Sequence, residues 1–386
     1  MSALVLCATL LLAQGAQQET QQSTVTPAQV AAAIDTLSSL DYPVRMDAAR
    51  TVRRAAAAVA VPALTQAAEK HKDGYVRFRA LVLLTGFNDP RTRDVVTRLL
   101  ADPNDRLRAV AYAYFEHNPD PAVLPRLIDA LSREESEFVR PALTRAIAAH
   151  GNEKPAQETM SRLVIRGQDF FRSAVIEAIG DYKGSYGFAA LTEVAQQDGP
   201  LQDDAVLALG KIGDKRALET FATLQRTAPR ASQPAIAASI CLLGVNCSSH
   251  QGYLTETLKF SIKQAGFQEL LRSASAGLAA LAVAGNDEAL STLIDVGAPT
   301  RDPARAAIAL SIGTVALRNI PVMLKALERE EHRAAALELL REAFDMLEED
   351  YVEERFFATV RRGFWQAKPG SPSRAIAEAL IRKLEF

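Results

Sequence analysis

Val139-Arg140-Pro-Ala-Leu-Thr-Arg-Ala-Ile147 is answered 32 residues later by Phe171-Arg172-Ser-Ala-Val-Ile-Glu-Ala-Ile-Gly180, and this correspondence decides the fold. Upstream, the same apolar-Arg pair stands at Val44-Arg45, Val76-Arg77 and Leu107-Arg108, with steps of 32, 31 and 32 residues up to Val139. A fixed period of this length is the mark of a repeat array, in which each unit is one supersecondary element. Within a copy, Val139, Leu143 and Ile147 recur four apart, the spacing of a helix with one buried stripe. Nine residues after the apolar position the later copies carry Gly, at Gly180, Gly210, Gly244, Gly285 and Gly313. We read that Gly as a helix C-terminal signal.

The segment before the pair has its own helical spacing and, in most copies, a Pro or Asp-Pro near its start. Examples are Val61-Pro62, Asp89-Pro90, Asp120-Pro121 and Ile320-Pro321. Proline is tolerated in a first helical turn, where its missing N–H had no partner. Polar turns such as Lys72-Asp73-Gly74 and Asp102-Pro103-Asn104-Asp105 separate the two helices. Each unit is thus helix, turn, helix, turn. Ala304-Arg305, His332-Arg333 and Ser373-Arg374 carry the pattern towards the C-terminus. Two steps, Ala235 to Ala276 and His332 to Ser373, lengthen to 41 residues and mark insertions near 245–260 and 345–368. The first contains Gly244 to Tyr253, read as a loop.

On these second-helix and Pro-x-Leu patterns, the chain from about Thr26 to Phe386 resembles the HEAT-like repeats of the short kind first associated with phycobilisome lyases and common in bacterial proteins. The resemblance implies an all-α, right-handed α-solenoid of about eleven hairpins. It also implies a role for the arginine column Arg45, Arg77, Arg108, Arg140 and Arg172. In the family, equivalent Asp and Arg side chains bond across adjacent repeats as a structural ladder. Asp41, Asp73, Asp105, Glu137 and Asp169 precede the arginines by a few residues and are the candidates here. The rival reading is a row of guanidinium groups that grips a polyanion or an acidic peptide.

Composition narrows the function. Lys plus Arg total 44 against 46 Asp plus Glu, a net charge of −2, and neither half carries a strong excess. That balance argues against nucleic acid or an anionic membrane as partner. The uncharged apolar run Met1–Ala13 is too short to cross a bilayer, which needs roughly 20 residues. With Ala13-Gln14-Gly15 it reads as a signal peptide, residues 1–15, followed by a flexible Gln/Thr/Ser leader, residues 16–26, and the repeat array, residues 27–386. The expected location is therefore periplasmic or extracellular, with no integral membrane segment after cleavage.

In an exported chain Cys241 and Cys247, six apart, are expected to form a disulfide. A metal reading would add His250 to the two thiolates, one ligand short of a closed site. The aromatic segment Leu347 to Trp365 has two readings. It closes the C-terminal end of the stack, with Phe356 the most buried residue, or it presents Phe364 and Trp365 with Arg361 and Arg362 to a partner. Catalytic patterns are lacking. His71, His117, His150, His250 and His332 are scattered, and no nucleophile elbow, Walker loop or dinucleotide fingerprint occurs. No catalytic residue, cofactor or metal is assigned. The expectation is a non-catalytic scaffold that binds an unidentified protein or peptide on its concave surface. The alternative is a lyase-like enzyme or small-ligand binder built on the same repeat, which the resemblance alone suggests.

Overall fold

Apolar stripes spaced three and four apart oblige each helix to find a neighbour, and a hairpin of some 30 residues cannot bury both of its faces alone. The computed structural model describes residues 25–386 apart from 265, 348 and 349. The signal segment and most of the leader therefore lie outside the described residues. The described chain holds twenty-two α-helices and no strand. It divides after Leu107 into two compact units, with Glu385 and Phe386 grouped with the first. Both are stacks of α-helical hairpins, and the fold is an α-solenoid.

In the first unit α1 (Pro27–Asp35) pairs with α2 (Tyr42–Arg54) and α3 (Ala57–Lys70) with α4 (Gly74–Thr85), and α5 (Thr92–Leu99) leads into α6 (Asp105–His117), inside which the division falls. The caps follow the sequence. Thr26 and Gln29 form a reciprocal capping box, and the Asp73 carboxylate accepts the N–H groups of Tyr75 and Val76. Pro62 departs from the reading above, because α3 begins at Ala57 and the proline lies inside the helix.

The second unit continues with α7 (Leu124–Ala130), α8 (Arg140–Ala148), α9 (Lys154–Val164), α10 (Asp169–Asp181), α11 (Phe188–Ala195), α12 (Gln202–Ile212), α13 (Ala217–Thr227) and α14 (Gln233–Leu242). After these come α15 (Cys247–Lys263), α16 (Gln268–Val283), α17 (Asp287–Gly297), α18 (Ala304–Arg318), α19 (Ile320–Ala326), α20 (Glu330–Met346), α21 (Asp350–Gln366) and α22 (Pro372–Leu384). The second helices α8, α10, α12, α14, α16, α18 and α20 form one inner layer, each packed on the next. The two long steps are taken up by long helices, 17 residues in α15 and 17 in α21, so Gly244 to Tyr253 is helical from Cys247 onward.

The repeating Gly has two jobs where one was expected. Gly244 and Gly285 follow the ends of α14 and α16 with φ of +77° and +102°, the left-handed conformation of a helix terminator. Gly180, Gly210 and Gly313 instead lie inside α10, α12 and α18. A Cβ on Gly180 or Gly210 would stand 2.7 Å from the Cα of Ala208 or Ser239, and one on Gly313 2.7 Å from the Ala343 Cβ. These are crossing points where neighbouring second helices approach backbone to backbone. The Ser239 hydroxyl secures one of them by donating to the Val206 carbonyl at 2.9 Å.

Close approach has a consequence for the inner face. From Pro234 to Cys241 every residue of α14 is buried, so the inner layer offers no open groove at that helix. α21 also breaks the alternation: though first in its hairpin, it packs against α18.

Candidate interaction surfaces

Each arginine of the column sits near the start of a second helix, and four of the five bond a main-chain carbonyl of their own hairpin. Arg77 donates to the Ala68 carbonyl at 3.0 Å, Arg140 to Glu134 O at 2.8 Å, Arg172 to Val164 O at 2.9 Å and Arg45 to Ser39 O at 2.6 Å. Arg305 and Arg333 repeat the contact to Ala298 and Leu327. All these carbonyls lie at or just beyond the C-terminal end of a first helix, where the last C=O groups lack partners and the helix dipole is negative. Where the arginine is lost, Gln202 and Gln233 donate to Ala195 O and Ala228 O instead.

Two members also cross to the next hairpin. Arg77 pairs with Asp102, and Arg108 grips the buried Glu134 with both arms at 2.8 and 2.7 Å. Neither acceptor was singled out above. Asp41 and Asp73 cap α2 and α4, Asp105 is the first residue of α6, and Asp169 pairs with Arg172 of its own helix. The reason is directional: a carboxylate that caps a helix start faces the N–H groups of that helix. Replacing Arg108 by Ala leaves Glu134 short of its cation in a buried place, and unfolding in urea is expected to show a loss of about 3 kcal/mol.

One buried electrostatic cluster of the second unit is not isolated by the sequence reading. Arg145 on α8 lies between Glu116 on α6 (2.8 Å) and Asp181 on α10 (2.9 Å), and Asp181 accepts in turn from Lys211 on α12 at 2.7 Å. The Tyr182 hydroxyl donates to Glu116 at 3.0 Å, and Arg318 on α18 approaches the same carboxylate at 3.6 Å. Burial works to raise the Glu116 carboxyl, but Arg145, then His117 and Arg318, hold it below the ordinary carboxylate range. For Asp181 burial is likewise overcome, by Lys211 and then Arg145, and the carboxyl falls to about 2. His117 is pushed down to about 4 by burial and stacks on Tyr351 of α21 at 5.6 Å, while Asn118 donates to the Tyr351 hydroxyl at 3.3 Å. These groups are matched in charge and face one another, which makes the cluster a clasp.

Nearby on α12, two adjacent carboxylates lack such cations. Asp204 accepts from the Ser173 hydroxyl at 2.6 Å and Asp203 from Ser273 at 3.0 Å. Burial raises Asp204 to about 6, helped by the negative Glu177 and Asp203. A carboxyl raised in the fold disfavours folding wherever it is charged, so its cost is full above pH ~6 and fades towards the unfolded value near 4. Asp204→Asn keeps an acceptor for Ser173. The variant is expected to melt above the wild type at pH 7.5 and together with it near pH 4.

Cys241 and Cys247 form a disulfide that joins the end of α14 to the start of α15. Among the described residues no group of three His, Cys, Asp or Glu side chains is placed to hold a metal. In α21 the aromatic residues separate by role. Phe356 is fully buried, 5.2 Å from Phe344, within the stripe Val352, Phe356 and Val360. Trp365 is 55% exposed, edge-on to Phe364 at 5.1 Å, and Arg374 lies 4.2 Å over the Phe364 ring. The outermost apolar surface of the hairpin thus projects outward.

Residues 30–115 match the family model for HEAT repeats. The same hairpin recurs from there to the C-terminus. No curated protein matches the sequence. Among solved structures, YibA of E. coli is 18% identical with a TM-score of 0.41, covering 57% of this chain and 82% of YibA. Kap95p, in a structure concerned with RanGDP and nuclear import complex assembly, is 14% identical with a TM-score of 0.43 over 93% of this chain and 55% of its own. Importin beta is 13% identical with a TM-score of 0.34, over 92% and 60%. The chain therefore spans little more than half the length of Kap95p and of importin beta.

Proposed function

We propose that this chain is a non-catalytic scaffold that binds a protein or peptide, and that it works outside the cytoplasm after loss of residues 1–15. The observation that carries the reading is Trp365, an exposed indole held in place by Phe364 and Arg374. Large apolar side chains fixed at the surface among arginines are the usual energetic centres of protein interfaces. A rigid indole loses little conformational freedom on binding. The inner layer is less suited to this role, because α14 is buried on every face and the clasp around Glu116 already satisfies its own charges.

The test is capture by the tagged protein from its own envelope fraction after mild crosslinking, read by mass spectrometry, with Trp365→Ala in parallel. A partner held by the wild type and lost by the variant supports the reading. Recovery of small molecules alone, or of a partner that Trp365→Ala retains, would overturn it. A cleavable leader also predicts a mature N-terminus after Gly15, which N-terminal sequencing of the exported protein checks.

A further inference from the structure

From Arg355 to Lys383 the chain carries seven cations, Arg355, Arg361, Arg362, Lys368, Arg374, Arg382 and Lys383, against one carboxylate, Glu378. Several are already engaged: Arg361 with Glu354, Arg382 with Glu378, and Lys383 with Glu338. Arg355, Arg362 and Lys368 are exposed and form no ion pair among the described residues. Arg355, Arg362 and Gln366 follow one another seven and four apart along α21, on one exposed face about a quarter turn round the helix from the buried stripe of Val352, Phe356 and Val360. Trp365 flanks that face, and Lys368 lies in the turn that follows.

We propose that this face of the last hairpin takes an acidic peptide segment bearing one apolar side chain, with the apolar group on Trp365 and carboxylates on Arg355, Arg362 and Lys368. The inference rests on the reading of the chain as a protein-binding scaffold and names the chemistry of its partner. Arg355 and Arg362 are about 10 Å apart along the helix, the length of roughly three extended residues, so carboxylates at that interval reach both. Guanidinium groups bind carboxylates through paired N–H donors, and Arg355, Arg362 and Lys368 give up no ion pair to a described residue on binding. A peptide fits better than a longer polyanion or a lipid surface. The exposed cations are three and lie to one side of a single indole without running on as a track, and the chain as a whole is slightly negative.

The probe is a fluorescein-labelled peptide of Glu residues with one central Leu, titrated with the full mature chain and followed by anisotropy. Saturable binding is expected that weakens steeply between ~50 and ~300 mM salt, with no binding of the matching Lys peptide. Trp365→Ala should weaken binding about tenfold or more. Arg362→Glu with Lys368→Glu should abolish it, and the melting curves should be unchanged because all three side chains are exposed. The proposal is overturned if the wild type does not bind the probe or if both variants bind it as tightly. It is also overturned if phosphatidylserine vesicles or single-stranded DNA bind this face more tightly, with the same dependence on Trp365. A partner captured from the envelope without any affinity for the acidic probe would sink this inference alone and leave the scaffold reading standing.

Discussion

Gly210→Val is expected to destabilise the second unit by about 3 kcal/mol or to prevent its folding, while Gly363→Ala stabilises the same chain by about 0.5 to 1 kcal/mol. Both glycines lie inside helices and both gain a methyl group or more. The difference is what the new atoms meet. At Gly210 a Cβ arrives 2.7 Å from the Cα of Ser239, a backbone atom that cannot rotate away, and the Ser239 hydroxyl is itself bonded to Val206. α12 and α14 would have to separate, and α14 is packed between α12 and α16. At Gly363 there is open space, and alanine removes conformational freedom from the unfolded chain without cost in the fold. Urea midpoints of the two variants, read by circular dichroism, check both signs. Equal effects would mean that α12 and α14 can separate at this crossing without cost.

Glu116→Ala should cost about 3 to 5 kcal/mol, more than any single truncation on the outer surface. The carboxylate is the common acceptor of Arg145, Tyr182 and Arg318, and its removal leaves the mostly buried Arg145 with Asp181 alone. Glu116→Gln keeps the shape and an acceptor and is expected to recover only part of the loss, since it cannot return the charge. The pH dependence separates the roles within the clasp. Glu116 is held low in the fold, so its contribution is full above the unfolded value and is lost as pH falls through the folded one. His117 is also held low, but as a base. The unfolded chain takes up its proton near 6.5 while the folded one waits until about 4, so stability declines over that window. His117→Gln should flatten the decline between pH 6.5 and 4 without altering the loss at lower pH. Asp204 acts in the opposite direction over the same interval, so the measurement is cleanest in the Asp204→Asn background.

The hairpins were legible because a stripe that must be buried repeats wherever a helix repeats. Eleven pairs of helices follow from the same spacing that predicts them. The burial of Phe356 was legible for the same reason, since it continues the stripe of Val352 and Val360. The Gly register was not. Gly180 and Gly244 occupy equivalent positions, yet one meets Ala208 and the other turns the chain, and only the neighbouring helix distinguishes them. The arginine column was visible, but its principal acceptors are main-chain carbonyls, which every residue carries. Glu116, Arg145, Asp181 and Lys211 recur at intervals close to the repeat and could have been found by lining up the ends of second helices. The pairing of Glu116 with Arg318 and the contacts of His117 and Asn118 with Tyr351 could not, because Asn118 and Tyr351 are 233 positions apart and no local pattern relates them.

That last contact alters how the second unit must come apart. In an array where every hairpin touches only its neighbours, stability is a sum of local terms, and the ends fray independently. Here Tyr351 lies against His117 and Asn118, so the last hairpin shares a border with the first helix of the same unit. Deleting α21 and α22 would remove two borders at once, and protection against amide exchange should fall at the end of α6 as well as at the cut. Melting of such a unit is expected to be cooperative from end to end, with the amides of the buried α14 exchanging only when the whole unit opens.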